Sequence, residues 1–401
     1  MKKLTLISLA VFFIFLGSTY FIGETAQSEL SKLLEKQHSS QIKTELISYE
    51  KSFFSAKVKL KMTLPVENSE QLEVLVDSDI KHYPYKATFT NHFTMLDSRP
   101  AQKIENFFQT KDWITSSGEV NLLGNITSEF TLVEGSFKSA GEALHTQPIN
   151  IIYQYNLMNK HNGVNIEWDG LELQTQKMTF NSKGINASYH FSMVANTELL
   201  NYDYQAQINQ LEITTPQADL LIQDADIAGT SKISEDGLTV DTANNWKVKT
   251  YNDGKNTFTD NHINLALSDL NLQALTLKKS EARASAVQQS LSSLLERGVK
   301  INFENVHSIT PWGEIDGKLK LDIQPGAVLA EVAVNPLALI DYMNGSLDLS
   351  LPKKLSELAA MQRPIQMGLA SGVLKEEGEK LTVSSRLDRG ELIVNERVIP
   401  L

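Results

Sequence analysis

The densest set of groups able to do acid–base work is "NIEWDGLELQ", where Glu167, Asp169 and Glu172 flank Trp168. Paired carboxylates could do acid–base work. An Asp-Gly step after a strand is also ordinary turn chemistry. The favoured reading is therefore a strand with Trp168 on its dry side and a turn at Asp169-Gly170. Ser-x-x-Lys occurs at Ser40 and Lys43, Ser78 and Lys81, and Ser350 and Lys353. Two common residues at fixed spacing recur by chance in a chain this long, so none is read as a nucleophile with its base. The histidines are His38, His82, His92, His145, His161, His190, His262 and His307. None is spaced as two zinc ligands on one helical face. Tyr202, Tyr204, Trp246 and Trp312 could line a ligand slot, although core packing is the commoner use of such residues.

Other chemistries are excluded more directly. There is no cysteine, which removes disulfides, thiolate metal sites, cysteine nucleophiles and a lipobox. No Gly-rich phosphate loop and no G-x-S-x-G elbow is present. A net charge of −11 over 401 residues, with no basic block, argues against nucleic acid as a partner. No catalytic, cofactor-binding or metal-ligating residue is assigned from the sequence, and no cofactor is expected.

The elements that would position any site are easier to read. Lys2 and Lys3 precede an uncharged run, Leu4 to Ile22. As a helix its 19 residues would rise about 28 Å, close to the hydrocarbon thickness of a bilayer. The flanking lysines favour a cytoplasmic N-terminus. The reading is an uncleaved anchor over 1–22, with a signal peptide as the rival. A short amphipathic helical pattern over 23–42 reads as a stalk, with Leu30, Leu33 and Leu34 on one face.

From there the hydrophobic period is two. Val58, Leu60 and Met62 alternate with Lys57, Lys59 and Lys61. The same alternation runs through Ile151 to Leu157, Ala187 to Met193, Tyr202 to Ile208, Leu319 to Ile323, Val328 to Val334 and Leu347 to Leu351. A sheet with one dry and one wet face follows, antiparallel rather than buried parallel. Turns are expected at 160–163, 181–184, 234–237, 251–256 and 387–391. One long helix is predicted near 281–297, capped by Ser280 and ended by Gly298, with Ala284, Val287, Leu291, Leu294 and Leu295 as its apolar stripe. A weaker helical stretch spans 356–362, between Pro352 and Pro364. The fold class is mainly β (α+β): a transmembrane helix, then a long antiparallel meander forming a curved sheet or sandwich. The meander occupies 43–277; 278–401 holds the covering helix and the C-terminal strands of the same assembly.

The stretch "ISYEKSFFSAKVKLKM" resembles the Tyr-x-x-Gly-x-Phe-Ser-Ser signature that follows the anchor in YdgA-like proteins of Gram-negative bacteria. Tyr49, Phe54 and Ser55 match it, while Ser52 and Ala56 replace a Gly and a Ser. "IKHYPY" keeps His82 and Pro84 of a later His-Gly-Pro, with Tyr83 in the Gly place. "RLDRGELIVNERVIPL" is similar to that family's closing hairpin. The resemblance implies a single-pass protein of the bacterial inner membrane with its bulk in the periplasm. It implies structural roles for these motif residues and brings no catalytic ones. The functional expectation is a non-enzymatic envelope protein, in the bilayer through 4–22, whose sheet presents an apolar groove for lipid or acyl chains. The alternatives are an interaction scaffold for another envelope protein and an envelope-polymer hydrolase using the carboxylates near Trp168.

Overall fold

The computed structural model describes residues 43–52, 55–65, 71–83, 86–121, 123–156, 160–194, 199–272, 292, 295–388 and 390–399. The anchor at 1–22, the stalk at 23–42, Phe54, Pro84 and nearly all of the helix expected at 281–297 lie outside them. Among the described residues 22 strands are present, every recorded pairing is antiparallel, and no helix is long and apolar enough to cross a membrane. The chain divides into two units after His190.

The first unit begins as a meander. β1 (Lys43–Lys51), β2 (Ser55–Pro65), β3 (Gln71–His82), β4 (Lys86–Met95), β5 (Ile114–Asn121) and β6 (Asn125–Leu132) pair in sequence. β7 (Gly135–Ser139) and β8 (Glu142–Thr146) form a hairpin, and β9 (Ile149–Asn156) returns beside β6. β10 (His161–Gln174) spans both, pairing with β9 along its first half and with β8 along its second.

The alternation is realised as expected. Val58, Leu60, Val76 and Ile80 are almost wholly buried. One apolar cluster runs from Ala56 on β2 to Val164 on β10. Lys57, Lys59 and Lys61 face the other way and meet Asp79, Asp77 and Glu73 across the ladder at 3.6, 3.1 and 2.6 Å.

A helix that the alternation conceals, α1 (Arg99–Phe108), covers part of this core with Ala101 and Ile104. Its start is conventional: the Ala101 N–H donates to Ser98 Oγ, and Pro100 occupies the first turn. Phe107 reaches Gly135, where a Cβ would lie 2.3 Å from the ring.

The turn expected at Asp169-Gly170 is absent, because β10 runs straight through it. Gly170 sits at φ +149°, and a Cβ there would be 2.2 Å from the Ser182 carbonyl oxygen. The glycine thus permits close approach of β10 to β11 (Thr179–Met193) rather than a reversal. The 181–184 turn is likewise overturned; those residues lie inside β11.

The second unit is a longer meander. β12 (Leu200–Thr214), β13 (Asp219–Ile233), β14 (Thr239–Asn252), β15 (Thr257–Asn271), β16 (Val299–Thr310), β17 (Gly313–Ile323) and β18 (Met343–Pro352) pair in order. β20 (Lys380–Asp388) pairs with β18. Its far side is covered by β19 (Lys375–Glu377) and β21 (Glu391–Val394), and β22 (Arg397–Ile399) pairs with β21.

One expectation fails here, and one is met with shifted bounds. Residues 328–334 form α2 (Leu329–Val334), not a strand, because β17 already has β16 and β18 on its two sides. A four-residue alternation cannot by itself tell strand from helix. The weak helix near 356–362 is α3 (Ala359–Ser371), which runs through Pro364 and ends at Gly372 in the left-handed region, φ +75°.

The first unit's core contains a polar seam. Ser78 Oγ donates to Asn91 Oδ1 at 2.7 Å, and Asn91 Nδ2 donates to Ser116 Oγ at 3.1 Å, on three adjacent strands and all buried. Asn91→Ala would strand both hydroxyls, at about 1–3 kcal/mol for each group left unpaired. Denaturant unfolding of the full chain in detergent should show a loss of roughly 2 kcal/mol or more; an unchanged midpoint would mean that the seam is immaterial.

Candidate functional site

Three places in the fold collect residues of interest. The first holds the motif residues. Tyr49 lies opposite Val58, Ser55 opposite Lys81, and His82 opposite Ala87, so the three gather where β1 turns into β2 and β3 ends. Tyr49 packs on the core, and burial pushes its pKa up. His82 shares the parity of Val76 and Ile80, so its ring closes the dry face. Neither ring nitrogen has a hydrogen-bond partner. Burial, then the charge of Lys51, pushes its pKa below the ordinary imidazole value.

The second place is the dry face of the second unit. The registers align Ala206 with Ile227, Ile227 with Trp246, and Trp246 with Ile263. Leu265 aligns with Phe303, Phe303 with Leu319, and Leu319 with Leu347. None of these side chains is buried; Ile263 is 37 % exposed. In the first unit Val58, Leu60, Val76 and Ile80 are 0–2 % exposed, although Met62, Phe93 and Ile151 at its margins are partly exposed. The apolar face is sealed only toward its ends. Val240, Leu270, Val299 and Ile323 form one cluster, joined by Leu272 and Leu295. Leu355, Ile365 and Leu381, with Trp312, form the other. Tyr202, Tyr204 and Trp246 share the open stretch; Trp312 does not. Tyr204 reaches across Gly229 to donate to Asn244 Oδ1 at 2.9 Å. A Cβ on Gly229 would lie 2.7 Å from the tyrosine ring, so the glycine makes room for the aromatic to lie over the sheet.

The third place is on the wet face of the same sheet, and sequence reasoning missed it. His262 and His307 are cross-strand partners on β15 and β16, and His307 is the partner of Asp316 on β17. His307 Nδ1 lies 2.7 Å from Asp316 Oδ1, and its Nε2 is 3.6 Å from Asp260 Oδ2. His262 Nε2 is 2.6 Å from Asp260 Oδ1. The hydrogen bond to Asp316 leads the effects that raise the His307 pKa. The two histidines are 45 residues apart in the chain, and bulges shift the register on both sides of them. Only the strand pairing could have signalled the cluster.

The remaining suspected chemistry disperses. Glu167 and Asp169 are exposed, and Trp168 Nε1 donates to Thr146 Oγ1 at 3.1 Å, as a packed indole does. Ser78 points into the core seam, while Lys81 has the opposite strand parity.

Comparison with known proteins places the whole chain. A family model described as "Bacterial protein of unknown function (DUF945)" matches residues 1–401. The chain belongs to this family. No curated protein and no solved structure matches it. Membership in DUF945 leaves the activity to be argued from these three places.

His82 carries a pH signature. Its unfolded pKa is about 6.5 and its folded value is lower. Below that unfolded value the denatured chain binds more protons than the native one. The full stability is present above it and is lost as pH falls through the folded pKa. Unfolding midpoints at about pH 7.5 and about pH 5.5 should converge in His82→Gln relative to the parent protein. Equal pH dependence in both would remove His82 from the account.

Proposed function

We propose that this protein is a YdgA-like, membrane-anchored envelope protein that holds acyl chains on the open apolar face of its second unit. The observation that carries the reading is the half-exposed row Ile227, Trp246, Ile263, Leu265, Phe303, Leu319 and Leu347. A sheet face of this kind stays in water only at a cost of about 25 cal/mol per Å² of apolar area. An alkyl chain laid along it gains about 0.8 kcal/mol per methylene buried. The row crosses the ladder from β13 to β18, a span of about 24 Å at about 4.8 Å per strand spacing, on the order of one long acyl chain.

The rest of the reading comes from the sequence. Leu4 to Ile22, behind Lys2 and Lys3, would anchor the chain in the bacterial inner membrane and leave the remainder on the periplasmic side. A chain so tethered meets its ligand at the bilayer surface. The role we propose is one of binding and presentation; among the described residues this face carries apolar side chains and no convergent nucleophile and base.

Photo-crosslinking tests it. Cells expressing the full chain, fed a diazirine-bearing fatty acid and irradiated, should yield labelled peptides from β13 to β17. Ile263→Glu with Leu265→Glu should cut that labelling roughly tenfold, the effect of losing about 1.4 kcal/mol of contact. Labelling confined to the N-terminal segment, and indifferent to both substitutions, would exclude the apolar face as the binding surface. Cross-links from this face to another protein would replace the lipid with a protein partner.

A further inference from the structure

We propose that the β16–β17 hairpin carries a divalent-metal site in which His307, Glu314 and Asp316 are the ligands. One ligand atom from each lies within 4.8 Å of the other two. The placement is made by the ladder and not by a loop. His307 and Asp316 are directly opposed, and Glu314 follows two residues away on the same face of β17. In an antiparallel pair, opposed and diagonal side chains on one face are within reach of each other. The turn that closes the hairpin, Thr310 to Gly313, is tied by Thr310 Oγ1 donating to the Gly313 carbonyl at 2.7 Å. The ligand-bearing strands are therefore held in register.

The surroundings have the form of an outer coordination shell. An ion held by His307 and Asp316 would sit between Nδ1 and Oδ1, now 2.7 Å apart in a direct contact. The other nitrogen, Nε2, faces Asp260 Oδ2 at 3.6 Å. A metal-bound imidazole commonly donates its remaining N–H to a carboxylate, which fixes both tautomer and ring plane; here the 3.6 Å gap would have to close for Asp260 to accept it. Asp260 is in turn held by His262 at 2.6 Å.

β15 and β16 are irregular beside this arrangement. Asp260 and Asn305 take left-handed conformations, φ +53° and +52°, and the register shifts on either side of His262 and between Phe303 and Val306. Bulges of this kind re-aim side chains. The histidines and Asp316 also border a cleft of about 750 Å³, lined further by Lys318, Asp348 and Lys375. It leaves space for water or an anionic ligand beside the ion.

One imidazole and two carboxylates suit Mn²⁺, Co²⁺ or Zn²⁺ and not a soft ion such as Cu(I). The present occupant of Glu314 is Lys380, whose Nζ lies 3.0 Å from Oε2. The ion would have to displace this ammonium group. The site lies on the wet face, opposite the apolar row, so the inference stands whether or not that row binds lipid.

Calorimetric titration of chelator-treated full-length protein in detergent with MnCl2, CoCl2 and ZnCl2 tests the proposal. One ion per chain is expected for at least one metal. His307→Gln and the near-isosteric Asp316→Asn should each weaken binding by about tenfold or more, and Asp260→Asn by less. Lys380→Gln, which frees Glu314, should tighten it. His92→Gln, on another sheet region, should leave it unchanged, and circular dichroism should show the same fold for every variant. No stoichiometric heat with any of the three ions, or equal affinity in the parent, His307→Gln and Asp316→Asn proteins, would overturn the site.

Discussion

Most of the described strands have one dry side, and water will not tolerate a broad apolar sheet face left bare. How each unit meets that constraint explains most of its structure. In the first unit the face closes on itself from Ala56 to Val164, α1 adds Ala101 and Ile104, and the result is a sealed core. In the second unit the clusters around Val240 and Leu381 close two regions. Between them Ile227, Trp246, Ile263 and Phe303 stay partly wet. The contrast arises from the same alternating pattern, so it reflects what lies over the strands and not the strands themselves.

The wet face is set by the same constraint. The Lys-Val-Lys-Leu-Lys-Met run of β2 admits only one register, since a slip of one residue would drive Lys57, Lys59 and Lys61 into the core. Their partners Asp79, Asp77 and Glu73 are on the surface. Such solvent-screened pairs contribute little to stability. Their value is in discriminating against the wrong alignment. In the second unit the wet side of β15 to β17 carries histidine and carboxylate in place of lysine and carboxylate.

The strands and their antiparallel character were legible from period-two alternation, because burial on one side of a pleated ribbon imposes that pattern directly. Turns were less legible. Asn181 to Gly184 and Asp169-Gly170 have turn composition, yet both lie within long strands, where glycine serves close approach to a neighbouring backbone. α1 carried its signal in Ser98 and Pro100 and was hidden by its setting between strands. Residues 328–334 alternate like a strand but had no free edge to join. The His262–His307 cluster could not be read at all. It exists only through a cross-strand register, and bulges at Asp260 and Asn305 offset that register from simple counting.

The last strands of the second unit are short. β19 and β22 have three residues each and β21 has four, and β19 reads Lys-Glu-Glu with all three side chains exposed. A chain arriving from outside finds few free N–H and C=O groups there, and charge beside them. Sheets that grow by adding strands from other molecules need a long, flat, neutral border to begin. This border frays into fragments, so a protein that leaves an apolar face partly open is guarded at its C-terminal margin against fibre formation.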